Sequence, residues 1–487
     1  MIGLPLATVL AGTGGDLRGD LPAGMLFRGM ARDSRRVAAG ELFLAIPGER
    51  LDGHDFVAEA AANGAAAALV ARAWADRQVA PPLPLVAVDA VVPALQRLAA
   101  VHRAALGAGV TVVGVTGSVG KSSAKEAIAA VLGPRFATHR SAGNLNNEIG
   151  LPLSLLELTP ETEVAVLEMG GAYAPGEVAL LADLAQPAIG VVTNVYPVHL
   201  ERMGSIEAIA DTKAELVAAL PATGTAVLNG DDPRVRAMAP RCRGAVLTYG
   251  LDAGNDVRGS DVVTEGLEGT SFWLHLAGER LKIKVPLVGG HAVQLALAAI
   301  AVGHALGMHI SEMLPGFQDP AIQVRLLIEP GPRGSRIVDD TYNASTPSTL
   351  SALGLLEELR RGEGVTRAIA VLGDMRELGA LAEAEHRVVG RRAGEVADVV
   401  ITYGELARTI AAEARGVARH VDGRPPDVTS FALDQRAELV AHLRRELRAG
   451  DVVLLKGSRG LLMEEMVAAL RADVDADAPA GGVDQPR

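Results

Sequence analysis

Residues 114–123 read GVTGSVGKSS, and this stretch constrains the possible fold more than any other part of the chain. It follows the apolar run VTVVGV and precedes AKEAIAAVL, so a buried strand, a glycine-rich turn and a helix are predicted in succession. Backbone N–H groups at the start of such a helix hold phosphate oxygens. A lysine in this position reaches the β/γ-phosphates of a nucleotide, and the following serine hydroxyl binds Mg²⁺. We therefore predict a nucleotide-binding loop in which Lys121 and Ser122 have these two roles.

The spacing of this loop differs from the strict phosphate-loop motif. Val115 stands where that motif has its first glycine, and the glycines of this chain are Gly114, Gly117 and Gly120. An ordinary strand-to-helix turn is the alternative interpretation. The combination of strand, turn, Lys-Ser and helix favours nucleotide binding over that alternative.

Runs rich in Val, Ile and Leu alternate with helical patterns along most of the chain, which predicts α/β domains with parallel sheets covered on both faces. We predict a small N-terminal α/β domain (residues 1–104), a central P-loop parallel-sheet domain (105–322) and a C-terminal Rossmann-like, doubly wound domain (323–472). The helix of residues 291–307 is expected to close the central domain. Residues 473–487 are predicted to be a disordered tail.

Composition argues against several classes of protein. The net charge of −12 disfavours nucleic acid as a partner. Cys242 is the sole cysteine, so no intrachain disulfide forms, as is typical of a reducing compartment. The N-terminus lacks the basic leader of a signal peptide, and the longest apolar helical run is too short to span a bilayer. We therefore expect a cytoplasmic protein without a membrane span. A monomer is a separate expectation.

Polar residues follow the phosphate loop in a fixed order. Glu168 ends the strand EVAVLE, His199 lies in the loop after the next strand, and Lys213 lies on the helix after that loop. Singly, each has an ordinary alternative: a strand end, a structural histidine or a solvated helix face. Because ligands bind at the carboxyl ends of parallel strands, the ordered set indicates a catalytic site at that edge, where Glu168 could hold Mg²⁺.

This ordered set resembles the Mur ligases, the family of ATP-dependent amide ligases of peptidoglycan synthesis. The resemblance runs from about Asp33 to Leu470. It also rests on the following stretches: ARDSRRVAAGELFLAIPGERLDGHDF, SAGNLNNEIGLPLSLL, VDDTYNASTPSTLSAL, AVLGDMRELG and LLKGSRGLLMEEMV. All but the first resemble the branch of the family that joins D-Ala-D-Ala to UDP-MurNAc-tripeptide, and the first resembles a UDP-binding domain.

The resemblance implies a reaction through an acyl phosphate. The tripeptide carboxylate attacks the γ-phosphate of ATP, and the amine of D-Ala-D-Ala then displaces phosphate to give UDP-MurNAc-pentapeptide. It also implies two Mg²⁺ ions and a carbamoyl-lysine that Lys213 forms with CO₂. Ser122 and Glu168 are expected to bind the first Mg²⁺, and Glu168, His199 and carbamoylated Lys213 the second.

The resemblance further implies two sets of binding residues. Those expected to bind ATP are Gly117, Ser118, Gly120, Lys121, Ser122, Ser123, Asn144, His291, Arg325, Asp340, Tyr342 and Asn343. Those expected to bind the substrates are Asp33, Ser34, Arg35, Asn146, Asn147, Lys456, Ser458 and Arg459. The ordinary alternatives are a loop with a helix cap for residues 33–35, turn chemistry for the asparagines and for residues 340–343, and a solvated basic loop for residues 456–459.

The chain also departs from the family pattern. Ala292 and Leu295 replace two asparagines, and Pro347 comes one place late in the stretch YNASTP. These changes concern contacts to the adenine and the hinge. The alternatives are a sister ligase that adds a single amino acid and a catalytically silent protein that binds UDP-muropeptide. A P-loop switch or motor is a further class, but the chain lacks an NKxD motif for guanine.

Overall fold

A computed structural model of the chain describes residues 3–48, 51–171, 174–265, 268–287, 292–319, 322 and 327–477. His291 and Arg325, both predicted to bind ATP, lie outside these residues. The chain folds into two compact units. Unit 1 comprises Met1–Thr193, Ala210–Leu247 and Val302–Gly307, and unit 2 comprises Asn194–Ile209, Thr248–Ala301 and Met308–Arg487.

The N-terminal part of unit 1 is a small α/β fold. Its elements are β1 (Leu4–Pro5), α1 (Leu6–Thr13), β2 (Asp16–Arg18), β3 (Leu26–Phe27), β4 (Met30–Ala31), β5 (Leu42–Leu44), α2 (Val57–Ala62), β6 (Ala67–Ala71), α3 (Arg72–Ala75), β7 (Leu85–Val88) and α4 (Val91–Leu106). One sheet has the order β2-β7-β6-β5-β4, in which β4 to β7 are parallel and β2 is antiparallel to β7. The apolar face of α4 packs into the core through Leu95 and Leu98.

A parallel sheet follows in unit 1. The elements of this part of the chain are β8 (Thr111–Thr116), α5 (Lys121–Leu132), β9 (Thr138–Arg140), α6 (Gly150–Leu156), β10 (Val164–Glu168), α7 (Glu177–Ala185), β11 (Ile189–Val192), α8 (Leu200–Met203), α9 (Ile206–Ala219), β12 (Thr225–Asn229), α10 (Pro233–Arg236) and β13 (Ala245–Gly250). Strands β9, β10, β8, β11 and β12 lie side by side in that order and are parallel. Their carboxyl ends therefore meet at one edge, to which the sequence assigned the site.

Unit 2 contains a second doubly wound sheet. The remaining elements of the chain are β14 (Val257–Thr264), β15 (Thr270–Leu276), β16 (Glu279–Val285), α11 (Ala292–Ala305), α12 (Ile310–Met313), β17 (Leu327–Pro330), β18 (Arg336–Asp339), α13 (Thr346–Arg360), β19 (Arg367–Gly373), α14 (Ala382–Val396), β20 (Val399–Tyr403), α15 (Ala407–Ala414), β21 (Asp427–Phe431), α16 (Arg436–Glu446), β22 (Asp451–Lys456) and α17 (Glu464–Asp477). The sheet order is β17-β18-β22-β19-β20-β21, parallel except for β17. Strands β14, β15 and β16 pair antiparallel.

The predicted α/β class with parallel sheets is confirmed, but two local expectations differ from the structure. The antiparallel strands β14–β16 were not predicted. Helix α17 continues to Asp477 and so enters the segment 473–487 that was predicted to be disordered. Met466 and Leu470 anchor this helix in the core, and no Gly or Pro interrupts the sequence before Pro479. The three domain boundaries stay predictions. None of the described helices has the length and apolarity to cross a membrane.

Candidate active site

The phosphate loop lies between β8 and α5, as the sequence predicted. Gly117 and Gly120 have φ angles of 144° and 81°, which residues with a side chain rarely adopt, and α5 begins directly afterwards at Lys121. The Lys121 ammonium donates hydrogen bonds to the backbone carbonyls of Gly117 (2.9 Å) and Ser118 (3.2 Å). The loop thus brings a helix N-terminus and a cation together, the two features that bind phosphate.

Glu168 occupies the carboxyl end of β10 and is almost completely buried. The Ser122 hydroxyl donates a hydrogen bond to one of its carboxylate oxygens, and the Asn146 amide donates to the other at 2.6 Å. The structure therefore joins the two residues predicted for the first Mg²⁺. Asn146 was predicted to bind substrate, yet its side chain contacts the Glu168 carboxylate.

Lys125 is a fully buried lysine that was not among the predicted site residues. Its ammonium donates to the carbonyls of Ser141 (2.5 Å) and Gly143 (3.0 Å), and so fixes the start of the asparagine-rich loop. The available signal was a charged residue on an otherwise apolar face of α5. Asn147 accepts a hydrogen bond from the Gly150 N–H at 2.8 Å and helps to start α6, whereas Asn144 is exposed.

Lys213 lies on α9 with its ammonium buried against the backbone that follows β10. It donates to the carbonyls of Gly170 (2.8 Å) and Gly171 (2.5 Å). Burial lowers the pKa of Lys213 well below its usual value, and the nearby charge of Lys121 lowers it further. A lysine with a lowered pKa is in the neutral, nucleophilic amine form for a larger fraction of the time than a solvated lysine.

His199 belongs to unit 2 and has a left-handed backbone conformation, with φ at 59°. Its Nδ1 atom is in hydrogen-bonding contact with the carboxylate of Glu377, a residue of the stretch AVLGDMRELG for which no role was predicted. Within the described part of the chain, no group of three or more His, Cys, Asp or Glu residues is arranged to hold a metal ion. The second predicted Mg²⁺ site, which includes Glu168, His199 and modified Lys213, therefore stays a prediction.

The predicted polar residues of the C-terminal part of the chain come together at the carboxyl ends of β18 and β22. The Lys456 ammonium is almost completely buried and donates to the Asp340 carboxylate (2.6 Å) and to the Asn343 carbonyl (2.9 Å). The guanidinium of Arg459 lies over the ring of Tyr342, 5.3 Å from its centroid. The residues predicted separately for ATP and for substrate thus form one cluster.

Ser458 connects this cluster to the loop after β19. Its N–H donates to the carbonyl of Asp374 at 3.0 Å, and its hydroxyl accepts a hydrogen bond from the Arg376 N–H at 2.8 Å. The Asp374 carboxylate in turn accepts from the Ala407 N–H at 2.8 Å, at the start of α15. Asp374 and Arg376 were not predicted, because their partners are distant in sequence.

The residues predicted to bind the UDP end of the substrate are held by local contacts. The Arg35 side chain donates to the Asp33 carboxylate at 2.9 and 2.8 Å, and these hydrogen bonds lower the pKa of Asp33 to about 2. Asp33 also caps the short helix Ser34–Arg36. Ser34 is buried and donates to the Glu59 carboxylate. These contacts correspond to the loop-and-cap alternative and leave a role in binding untested.

The positions that depart from the family pattern have simple structural roles. Ala292 and Leu295 are buried apolar residues of α11. Pro347 lies in the first turn of α13, where a missing N–H costs no helical hydrogen bond. The shifted proline is therefore compatible with the local fold.

Comparison with known proteins identifies the family. The family models described as "Mur ligase family, catalytic domain", "Mur ligase middle domain" and "Mur ligase, glutamate ligase domain" match residues 27–106, 115–303 and 325–459. The chain is 37% identical over 450 residues to the UDP-N-acetylmuramoyl-tripeptide–D-alanyl-D-alanine ligase of Bacillus subtilis (strain 168), covering 91% of this chain and 93% of that one.

Two solved structures extend the similarity to the whole fold. MurF from Acinetobacter baumannii matches with a TM-score of 0.82 and 27% identity, covering 97% of this chain and 99% of that one. The MurF ligase from Thermotoga maritima in complex with ADP matches with a TM-score of 0.73 and 30% identity, covering 93% and 99%. The sequence identity to the Bacillus subtilis enzyme and these structural matches show that the chain belongs to the Mur ligase family.

Proposed function

We propose that this chain is an ATP-dependent ligase that joins D-alanyl-D-alanine to UDP-N-acetylmuramoyl-tripeptide and yields the pentapeptide, ADP and phosphate. The observation that carries the proposal is the contact of buried Glu168 with the Ser122 hydroxyl at the phosphate loop. Two further observations support it. The Bacillus subtilis relative bears the name of this activity, and the Thermotoga maritima relative was solved with ADP.

The phosphate loop supplies positive charge where the reaction needs it. The tripeptide carboxylate attacks the γ-phosphorus of ATP, the bond to the β/γ-bridging oxygen breaks, and ADP leaves. Negative charge spreads over the phosphoryl oxygens in this transition state. The N–H groups at the start of α5 and the ammonium of Lys121 are already fixed by the fold, so they stabilise that charge with little reorganisation.

The donor atoms around Glu168 fit Mg²⁺. Mg²⁺ prefers oxygen ligands, and Ser122 and Glu168 bring a hydroxyl and a carboxylate oxygen into contact. The Asn146 amide orients the second carboxylate oxygen. Mg²⁺ bound there would neutralise phosphate charge and so favour attack by the carboxylate. We assign the first ion to Ser122 and Glu168, and the second to Glu168, His199 and a carbamoylated Lys213.

Carbamoylation would convert Lys213 from a cation into an anionic oxygen donor. The neutral amine attacks the carbon of CO₂, an N–C bond forms, one C=O bond becomes C–O⁻, and a proton leaves the nitrogen. The lowered pKa of Lys213 supports this step, because it raises the fraction of neutral amine at physiological pH. An unmodified ammonium could not bind a metal ion.

The cluster of Lys456, Asp340, Tyr342 and Arg459 is proposed to bind ATP and the dipeptide. Because Asp340 already neutralises Lys456, we assign the carboxylate of D-Ala-D-Ala to the guanidinium of Arg459. Residues 33–35 are proposed to contact the UDP end of the tripeptide substrate. The cytoplasmic location and the monomeric state stay predictions.

The test is phosphate release with ATP, Mg²⁺ and UDP-MurNAc-tripeptide, measured with and without D-Ala-D-Ala. We expect release to depend on the dipeptide, and the product to be heavier than the tripeptide substrate by the dipeptide less water. Turnover with a single amino acid and a dipeptide precursor would instead indicate the sister ligase. Tight muropeptide binding without turnover would indicate a silent binding protein. Glu168→Gln is the control, since it keeps the shape of the side chain but removes the charge.

A further inference from the structure

The carboxylate of Glu377 meets the imidazole of His199 within unit 2. The contact joins Nδ1 of His199 to one carboxylate oxygen of Glu377. Both residues have left-handed backbone angles, with φ at 59° for His199 and 66° for Glu377. Residues with a side chain uncommonly adopt this conformation, so both segments turn sharply at the two residues whose side chains meet.

Two further contacts join the same segments. The Arg202 guanidinium lies 3.8 Å from the second carboxylate oxygen of Glu377. The Gly379 N–H donates to the Glu201 carboxylate at 3.3 Å, and a Cβ at Gly379 would lie only 3.3 Å from the Glu201 side chain. The segments 199–202 and 377–379 are therefore held together at more than one point.

The segment that carries Glu377 is itself anchored to the unit 2 core. The N–H of Met375 donates to Nε2 of buried His386 at 3.0 Å, and the N–H of Arg376 donates to the Ser458 hydroxyl at 2.8 Å. A carboxylate on an anchored backbone restricts the orientation of the ring that it contacts, whereas one on a mobile loop would not.

We propose that Glu377 is a positioning residue for His199. It accepts a hydrogen bond from Nδ1–H, fixes the tautomer and the ring orientation, and leaves Nε2 as the nitrogen that would bind the metal. Histidine ligands commonly donate their second ring N–H to a carboxylate in this way, which orients the ring and raises its basicity. The inference rests on the proposed function, in which His199 binds Mg²⁺. The alternative is a surface ion pair without effect on the metal.

Metal binding tests the inference directly. Mn²⁺ replaces Mg²⁺ as the probe, and its binding to the full chain with saturating ADP is followed by electron paramagnetic resonance. We expect Glu377→Ala to weaken Mn²⁺ binding about 10-fold, in line with the loss of other carboxylate partners of histidine ligands. Glu377→Gln should lose less Mn²⁺ affinity, because the amide oxygen of Gln still accepts a hydrogen bond from Nδ1–H. The matched control is Glu383→Gln, which changes an exposed carboxylate that is paired with Arg387.

The same variants separate positioning from general damage. In Glu377→Ala the Mg²⁺ concentration for half-maximal activity should rise about 10-fold, and kcat at saturating Mg²⁺ should stay close to the wild-type value. Loss of kcat at every Mg²⁺ concentration in both Glu377→Ala and Glu377→Gln, with no change in the Mg²⁺ concentration for half-maximal activity, would overturn the inference. Glu377→Gln covers the case in which the alanine variant does not fold.

His199→Ala and the double variant with Glu377→Ala distinguish the two levels of the proposal. If Glu377 acts through His199, the double variant binds Mn²⁺ no more weakly than His199→Ala. If the losses of Mn²⁺ affinity in the two single variants add up in the double variant, the inference is overturned, but His199 remains a metal ligand. The same conclusion follows if His199→Ala binds Mn²⁺ more weakly while Glu377→Ala binds it as the wild-type chain does. Wild-type Mn²⁺ binding by His199→Ala would remove His199 from the metal site, and the inference would fail with it.

Discussion

At Lys213 a buried amine faces the carbonyls of Gly170 and Gly171, and it has a lowered pKa. We expect Lys213→Ala to lower kcat about 100-fold, because the second metal ion loses an anionic ligand and transition-state charge is less well stabilised. Short carboxylates such as formate or acetate should restore part of the activity. Lys282→Ala, which removes an exposed lysine, is the matched control.

The modification itself can be measured apart from activity. In ¹³C-bicarbonate buffer, the wild-type chain should give a carbamate carbon resonance that Lys213→Ala lacks and Lys282→Ala retains. A Lys213→Ala variant with wild-type kcat would contradict the role of this residue. A carbamate signal that persists in Lys213→Ala would place the modification elsewhere.

Single residues could be predicted where the sequence motif itself contains the chemistry. The sequence identified Ser122 and Glu168, and the structure brings them into contact. Lys125 and Glu377 were missed, because each contacts a partner that is distant in sequence. The predicted substrate contact of Asn146 stays a prediction, while its amide contacts Glu168, which the sequence did not indicate. Spacing along the chain shows which residues are unusual, whereas the tertiary fold decides what they touch.

Helix α5 supports the asparagine-rich loop through Lys125. We expect Lys125→Met to lower the free energy of unfolding by about 1–3 kcal/mol, because the buried carbonyls of Ser141 and Gly143 lose their donor. The displaced loop should also lower kcat, up to about 100-fold if the Glu168 carboxylate is misplaced. Urea unfolding and steady-state kinetics measure the two effects.

Arg140→Met provides the matched control for this prediction. Arg140 pairs with Glu126, the neighbour of Lys125, but its side chain is 40% exposed. Removing a partly exposed ion pair should change the free energy of unfolding by less than about 1 kcal/mol. If both variants unfold at the same urea concentration, the proposed support of the loop by Lys125 is wrong.

Helix α14 fixes the loop after β19 through His386, and this contact should make stability depend on pH. Nε2 of His386 accepts from the Met375 N–H, and Nδ1 faces the Ala382 carbonyl. Burial lowers the pKa of His386 below the unfolded value of 6.5, while the Ala382 carbonyl and Asp374 partly oppose the shift. Between these two pKa values the unfolded chain binds more protons than the folded chain. Stability is therefore complete above pH 6.5 and decreases as the pH falls below it.

The contribution of His386 can be isolated by comparing the wild-type chain with His386→Gln. The free energy of unfolding of the wild-type chain should fall more steeply below pH 6.5 than that of the variant, because Gln does not titrate. Burial also lowers the pKa of His139, so the free energy of unfolding of His386→Gln should still decrease to some extent as the pH falls. Identical slopes in both proteins, measured by urea unfolding at several pH values, would rule out the contribution of His386.

Strands were predictable where they are buried on both faces. The strands β8 and β10 appear in the sequence as the apolar runs VTVVGV and EVAVLE, and the structure has them within one residue of these positions. Strands β14 to β16 were missed because polar residues interrupt all three: β14 and β16 contain several exposed positions, and β15 (TSFWLHL) includes Thr, Ser and His, so none is a continuous apolar run.

On the scale of the whole molecule, the predicted domains are consecutive segments, whereas each compact unit combines several segments. Helix α9 begins in unit 2 and continues in unit 1. Composition and periodicity describe neighbouring residues, and they contain no information about which distant segments pack together. For this reason the family and the order of the elements were predictable, but the sequence did not show which segments make up each unit.

The stability of the whole chain should respond to nucleotide and metal together. A ligand that binds only the folded state stabilises it by roughly 2.7 kcal/mol at 100 times its dissociation constant. We expect ADP with Mg²⁺ to raise the unfolding temperature, and EDTA to remove most of the effect. Lys121→Ala should also remove most of it, since Lys121 is the cation of the phosphate loop, whereas Lys282→Ala should respond as the wild-type chain does. Full stabilisation of Lys121→Ala in calorimetry would place the nucleotide away from the helix N-terminus at α5.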